Sequence, residues 1–123
     1  MSNTDISAMQ YKLYGIKNCD TVKKARVWLD ERGIAYVFHD YKQAGIDSAR
    51  LERWCVEHGW EKVLNRAGST FRQLDDEQKE NLDQAKAIAL MLAQPSMIKR
   101  PLLQLGDRSL LGFKPDIYAA AIG

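Results

Sequence analysis

The chain has 123 residues, 46% hydrophobic and 28% charged, with a formal net charge of +2. That length and apolar content suit one domain with its own core, and the near-balanced charge argues against nucleic acid or an acidic membrane as main partner. Residues 1–8 lack the apolar stretch of a signal peptide and read as a flexible leader, and no segment reaches transmembrane length.

Tyr11-Lys12-Leu13-Tyr14-Gly15-Ile16 is a β-prone run followed by a turn at Lys17-Asn18. Val22, Ala25 and Leu29 then recur at helical spacing with Trp28 beside them, and Gly33 is a natural residue to end that helix. Ala35 to His39 reads as a second strand. These pieces predict a β-α-β unit with parallel strands and a right-handed crossover.

Asp47 or Ser48 can cap a helix carrying Leu51, Trp54, Cys55 and His58, which stops at Gly59. Val63 to Arg72 reads as loop, with Gly68-Ser69-Thr70 inside it. Asp75 with Gln78 three positions on has the form of a capping box. A longer helix is predicted from about Asp83 to Gln94, ended by Pro95. Two short strands flank Gly106-Asp107, a Gly-first hairpin turn, and Pro115 suits the first position of a last helix to Ile122. The order β-α-β, helices, β-β-α predicts an α/β, thioredoxin-like fold in residues 9–123, with a helical insertion at about 46–97.

Cys19 is the first candidate for chemistry, because it follows a strand and opens a helix. Unpaired amides and the positive end of the helix dipole favour a thiolate there. Lys17, Lys23 and Lys24 are near in sequence, and the Thr21 hydroxyl can donate to the sulfur. The position a helical turn beyond Cys19, where a dithiol site has its second cysteine, holds Val22. Any redox cycle then resolves through an outside thiol, or through Cys55 if the fold brings it close. Cys55, beside Trp54 in mid-helix, reads as a buried small hydrophobe. With no export signal, both thiols are expected free in a reducing cytoplasm.

Lys99-Arg100-Pro101 is the second candidate. The Arg100-Pro101 bond can be cis, and Arg100 can hold an oxyanion or carboxylate with its bidentate fork. Arg66, Arg72, Arg108 and Lys114 are further loop or hairpin cations, each taken singly a solvated charge. His39 and His58 stand apart from other metal ligands, so no metal is expected.

Tyr14 to Ala25, with its Gly15-Ile16-Lys17-Asn18-Cys19-Asp20-Thr21 core, resembles the active-site strand, turn and helix of the ArsC/Spx/YffB family. His39-Asp40-Tyr41, Leu64-Asn65, Gly68, Phe71-Arg72, Leu74, Ile98 to Leu103 and Leu110 to Phe113 also match, and the YffB-like branch is nearest. The resemblance implies Cys19 as nucleophile and Arg100, before a cis Pro101, as the contact for an anion or glutathione. It places Lys17, Asn18, Thr21, Arg66, Pro101 and Lys114 around the substrate or glutathione. It implies glutathione as co-substrate with no bound cofactor, and glutaredoxin as a candidate partner. Where arsenate reductases of the family carry a last arginine, this chain has Gly112-Phe113-Lys114; a lysine keeps the charge and loses the fork. The reading is a cytoplasmic, monomeric, glutathione-dependent thiol oxidoreductase. The alternatives are an arsenate reductase, and a polymerase-binding regulator like Spx that lacks the Cys-x-x-Cys switch.

Overall fold

The computed structural model describes residues 11–122, so the predicted leader lies outside the described residues. These divide into two compact units, one of residues 11–40 and 100–122 and the other Tyr41–Lys99. The predicted insertion at about 46–97 falls within the second.

The first unit is built on a four-stranded sheet: β1 (Tyr11–Gly15), β2 (Tyr36–Asp40), β3 (Leu102–Leu105) and β4 (Arg108–Leu111), in the order β2-β1-β3-β4. β1 and β2 are parallel, with Leu13 opposite Phe38 and Gly15 opposite Asp40. β3 runs antiparallel to both β1 and β4. The β1–β2 crossover is helix α1 (Asp20–Glu31). Gly106 takes a positive φ of 67°, as the tight β3–β4 turn requires. The chain finishes in a helix over Pro115–Ile122, called α8 below. Strand-helix-strand followed by hairpin and helix is the thioredoxin-like arrangement.

Strand alternation and helical spacing decide the core. Leu13 and Leu103 point to one face of the sheet, and Ala25, Trp28 and Leu29 of α1 and Tyr118 of α8 pack on it. Trp28 and Phe113 each meet the Tyr118 ring edge-on, at centroid distances of 5.5 and 4.9 Å. Burying each large side chain contributes about 1.5–3 kcal/mol.

The second unit is helical: α2 (Tyr41–Ala44), α3 (Ser48–His58), α4 (Trp60–Val63), α5 (Ser69–Arg72), α6 (Asp76–Lys79) and α7 (Gln84–Ala93), then a 3₁₀ turn at Pro95–Met97. Asp47 caps α3 by accepting from the Arg50 amide at 3.2 Å. The Asp75–Gln78 capping box forms both of its bonds, at 2.8 and 3.2 Å. Leu51, Trp54 and Cys55 of α3 and Ala87, Ile88 and Met91 of α7 are buried, as are Val63, Leu64, Phe71, Met97 and Ile98. The stretch Val63 to Arg72, predicted as loop, instead contains the end of α4 and all of α5. Single turns of four residues are too short to show a helical period.

Candidate active site

β1 ends in the middle of the sheet at Gly15, and Cys19 follows after a three-residue turn. Cys19 is the N-cap of α1, with φ −115° and ψ 126°, one residue before the first helical turn. Its carbonyl accepts the first helical bond, from the Lys23 amide at 2.9 Å. Its side chain makes no capping bond and is partly exposed. A sulfur at this place faces amides that have no partner within the helix, and the positive end of the helix dipole.

Two contacts fix the approach to Cys19. The Lys17 amide donates to Asp40 Oδ2 at 3.2 Å, tying the turn to the end of β2. Val22 is fully buried and lies against Gly15, with so little room that a Cβ there would stand 2.7 Å from Val22 Cγ2. Sequence reasoning did not single out Asp40 or Gly15 as supports of the site. A carboxylate at the carboxyl end of a strand predicted parallel to β1 is the signal that points to Asp40.

The Arg100–Pro101 peptide is cis. Pro101 is buried immediately before β3, and the β1–β3 register, Tyr14 opposite Leu102, brings it level with Gly15. The Pro101 carbonyl accepts from the Gly112 amide at 2.8 Å, and Tyr118 Oη donates to the Gly112 carbonyl at 3.3 Å. These bonds draw the end of β4 and the start of α8 to the same end of the sheet. Lys114, whose carbonyl accepts from the Ile117 and Tyr118 amides at 3.0 Å, belongs to that group.

One end of the first unit's sheet therefore gathers Lys17, Asn18, Cys19, Thr21, Arg100, Pro101 and Lys114. Arg100 is partly buried, and Lys17, Asn18, Thr21 and Lys114 are exposed. Arg66 belongs to the second unit, where it is exposed and its guanidinium lies 5.6 Å from the Trp60 ring centroid. Cys55 also belongs to the second unit and is 2% exposed. Burial, helped by the nearby Glu52 carboxylate, pushes its thiol up to about 11. Among the described residues no cluster of His, Cys, Asp or Glu is placed to hold a metal ion, and no helix is long and apolar enough to cross a membrane.

The sequence profile of the ArsC family matches residues 14–121. The solved structure of a YffB protein is 70% identical, covers 93% of this chain and 100% of its own, and superposes with a TM-score of 0.91. The solution structure of an arsenate reductase (ArsC) related protein from Brucella melitensis is 53% identical over 93% of this chain and 95% of its own, with a TM-score of 0.73. An uncharacterized protein of Haemophilus influenzae is 39% identical over 109 residues, 89% of this chain and 96% of that one.

Proposed function

The chain belongs to the ArsC family, and within it we propose that it is a glutathione-dependent thiol oxidoreductase that works with a single nucleophile, Cys19. The observation that carries this reading is the setting of Cys19 at the N-cap of α1 with a buried valine one helical turn beyond. The helix end presents amides that have no partner within the helix to the sulfur, and Val22 leaves no local thiol to resolve an adduct. Cys55, buried and pushed up to about 11, is a poor substitute.

In the proposed cycle the Cys19 thiolate attacks the glutathione sulfur of a mixed disulfide. The new Cys19–glutathione bond forms as the old S–S bond breaks, and the substrate leaves as a thiolate that takes a proton from water. A second glutathione, as its thiolate after losing its proton, attacks the Cys19 adduct. It releases oxidised glutathione and restores the Cys19 thiolate. Overall the mixed disulfide and one free glutathione become the substrate thiol and oxidised glutathione: the substrate sulfur is reduced, the incoming glutathione sulfur is oxidised, and the transferred glutathione sulfur stays at disulfide level. Arg100, at the same end of the sheet, holds a glutathione carboxylate with its planar fork, and Lys114 adds positive charge.

The test is turnover of a small mixed disulfide of cysteine and glutathione with free glutathione as reductant. Cys19→Ser is expected to bring turnover to background, and Cys55→Ser is expected to retain it. Loss of turnover in Cys55→Ser, with that variant folded and its Cys19 still open to alkylation in a separate sample, would replace the single-cysteine scheme by a two-cysteine one. Running the same mixture with arsenate in place of the disulfide asks whether the oxidised substrate is an oxyanion held by Arg100 and Lys114; arsenite above the no-enzyme rate would favour that substrate.

A further inference from the structure

Cys19 stands at the N-terminal end of α1, and Lys23 and Arg26, three positions apart within the helix, share one side of it. Arg26 is held in place there. Its guanidinium carbon lies 4.4 Å from the Phe38 ring centroid, and its Nε donates to Tyr36 Oη at 3.3 Å. Both aromatics belong to β2, which pairs with β1 alone and so forms an edge of the sheet. Arg26 is thus fixed on the seam between α1 and β2, on the opposite side of β1 from Arg100. It is partly exposed and Lys23 is exposed. Among the described residues neither cation forms an ion pair with a carboxylate. The bond to Tyr36 uses Nε and leaves the two Nη groups to meet a ligand.

A guanidinium already stacked and hydrogen-bonded loses little freedom when it binds a carboxylate. We propose that Lys23 and Arg26 form a specificity-determining contact for the peptide part of the disulfide substrate, selecting a carboxylate about three residues from its reactive cysteine. This rests on the oxidoreductase reading and names its substrate class. The spacing follows from geometry. Seven residues of helix rise about 10 Å, and an extended peptide covers that in about three residues. Asp30, four positions beyond Arg26 on the same face, reverses the sign of the track. A carboxylate about five residues out meets repulsion instead.

The test uses short peptides glutathionylated on one cysteine, identical except for Asp, Gln or Lys three positions before or after it. Wild-type protein is expected to favour one Asp peptide over its Lys counterpart by about fivefold in kcat/KM at low salt, mainly through KM. That preference is expected to shrink at about 0.5 M salt. Arg26→Met, which keeps an unbranched stem beside Phe38, should bring the Asp-to-Lys ratio below about twofold. Arg26→Lys should leave an intermediate ratio. Should Arg26→Met fail to fold, Lys23→Gln on the exposed side of the track serves instead and should lower the ratio. Equal rates for Asp and Lys peptides at both positions, in protein that turns over the cysteine–glutathione disulfide, would overturn this inference and leave the oxidoreductase reading standing. No turnover of that small disulfide would remove the oxidoreductase reading and this inference with it.

Discussion

Gly15 and Val22 touch where β1 gives way to α1: the buried Val22 side chain lies within 2.7 Å of where a Cβ on Gly15 would stand. The contact sets how closely the first turn of α1 lies on the sheet, and so where Cys19 stands. Gly15→Ala puts a methyl 2.7 Å from Val22 Cγ2, so something must shift around a valine that is fully buried. The substitution is expected to cost about 1–3 kcal/mol in urea unfolding. Adding Val22→Ala should recover part of that loss, because the two residues are in contact and their effects are not additive. Strict additivity in the double variant would show that Gly15 is needed for another reason.

Asp40 acts on the same turn from the other side, through the Lys17 amide. Asp40→Ala removes both the acceptor and a negative charge. Asp40→Asn removes the charge and keeps a carbonyl acceptor. Comparing the two variants tests the side-chain acceptor, whose bond to the Lys17 amide is worth about 1 kcal/mol. Alkylation of Cys19 by iodoacetamide is expected to differ between them, with Asn nearer to wild type in stability. Equal stability and equal alkylation in the two variants would mean the turn holds its shape without this bond.

The candidate residues were legible because they follow local rules. Cys19 after a strand, Arg100 before proline and Val22 at the resolving position are visible from spacing alone. The helix ends at Asp47, Asp75 and Asp83 were equally readable, since capping is decided within three residues. The supports of the site were not. The Lys17–Asp40 bond joins residues 23 apart in sequence, and the Gly15–Val22 contact depends on how near a helix lies to a strand. Both are set by the tertiary fold. Tyr41–Ala44 was missed for the reason that hid α5, a single turn with no repeat to detect. The family resemblance contributed the role proposed for Arg100, which its residue type and position left open between anion contact and surface charge.

Cys55 carries a pH dependence of stability. Its folded thiol is held up to about 11 from an ordinary 9.0, mainly by burial. The unfolded chain begins to ionise this thiol near pH 9 while the folded chain keeps it neutral. The resulting contribution to stability is therefore complete below pH 9 and is lost as pH rises from 9 to 11. Cys55→Ala removes the titrating group. The stability gap between wild type and Cys55→Ala, read from urea midpoints, is expected to narrow across that range. A gap constant from pH 8 to 11 would mean the thiol reaches water in the folded protein.

Arg100 offers the sharpest separation between holding a substrate and stabilising its reaction. It sits partly buried beside cis Pro101, and the Gly112–Pro101 bond fixes the loop that carries it. A residue that grips a glutathione carboxylate interacts equally with the ground and transition states of sulfur exchange, because the carboxylate is remote from the reacting sulfurs. Its loss then raises KM for glutathione and leaves kcat nearly unchanged. Arg100→Lys retains the charge but not the planar pair of donors, and is expected to raise KM by about tenfold, the equivalent of about 1.4 kcal/mol. Arg100→Ala should raise it further. A fall in kcat at unchanged KM would place Arg100 at the reacting sulfurs instead, where it would stabilise charge on the leaving thiolate, and the carboxylate of glutathione would need another partner, with Lys114 the next cation at that end of the sheet.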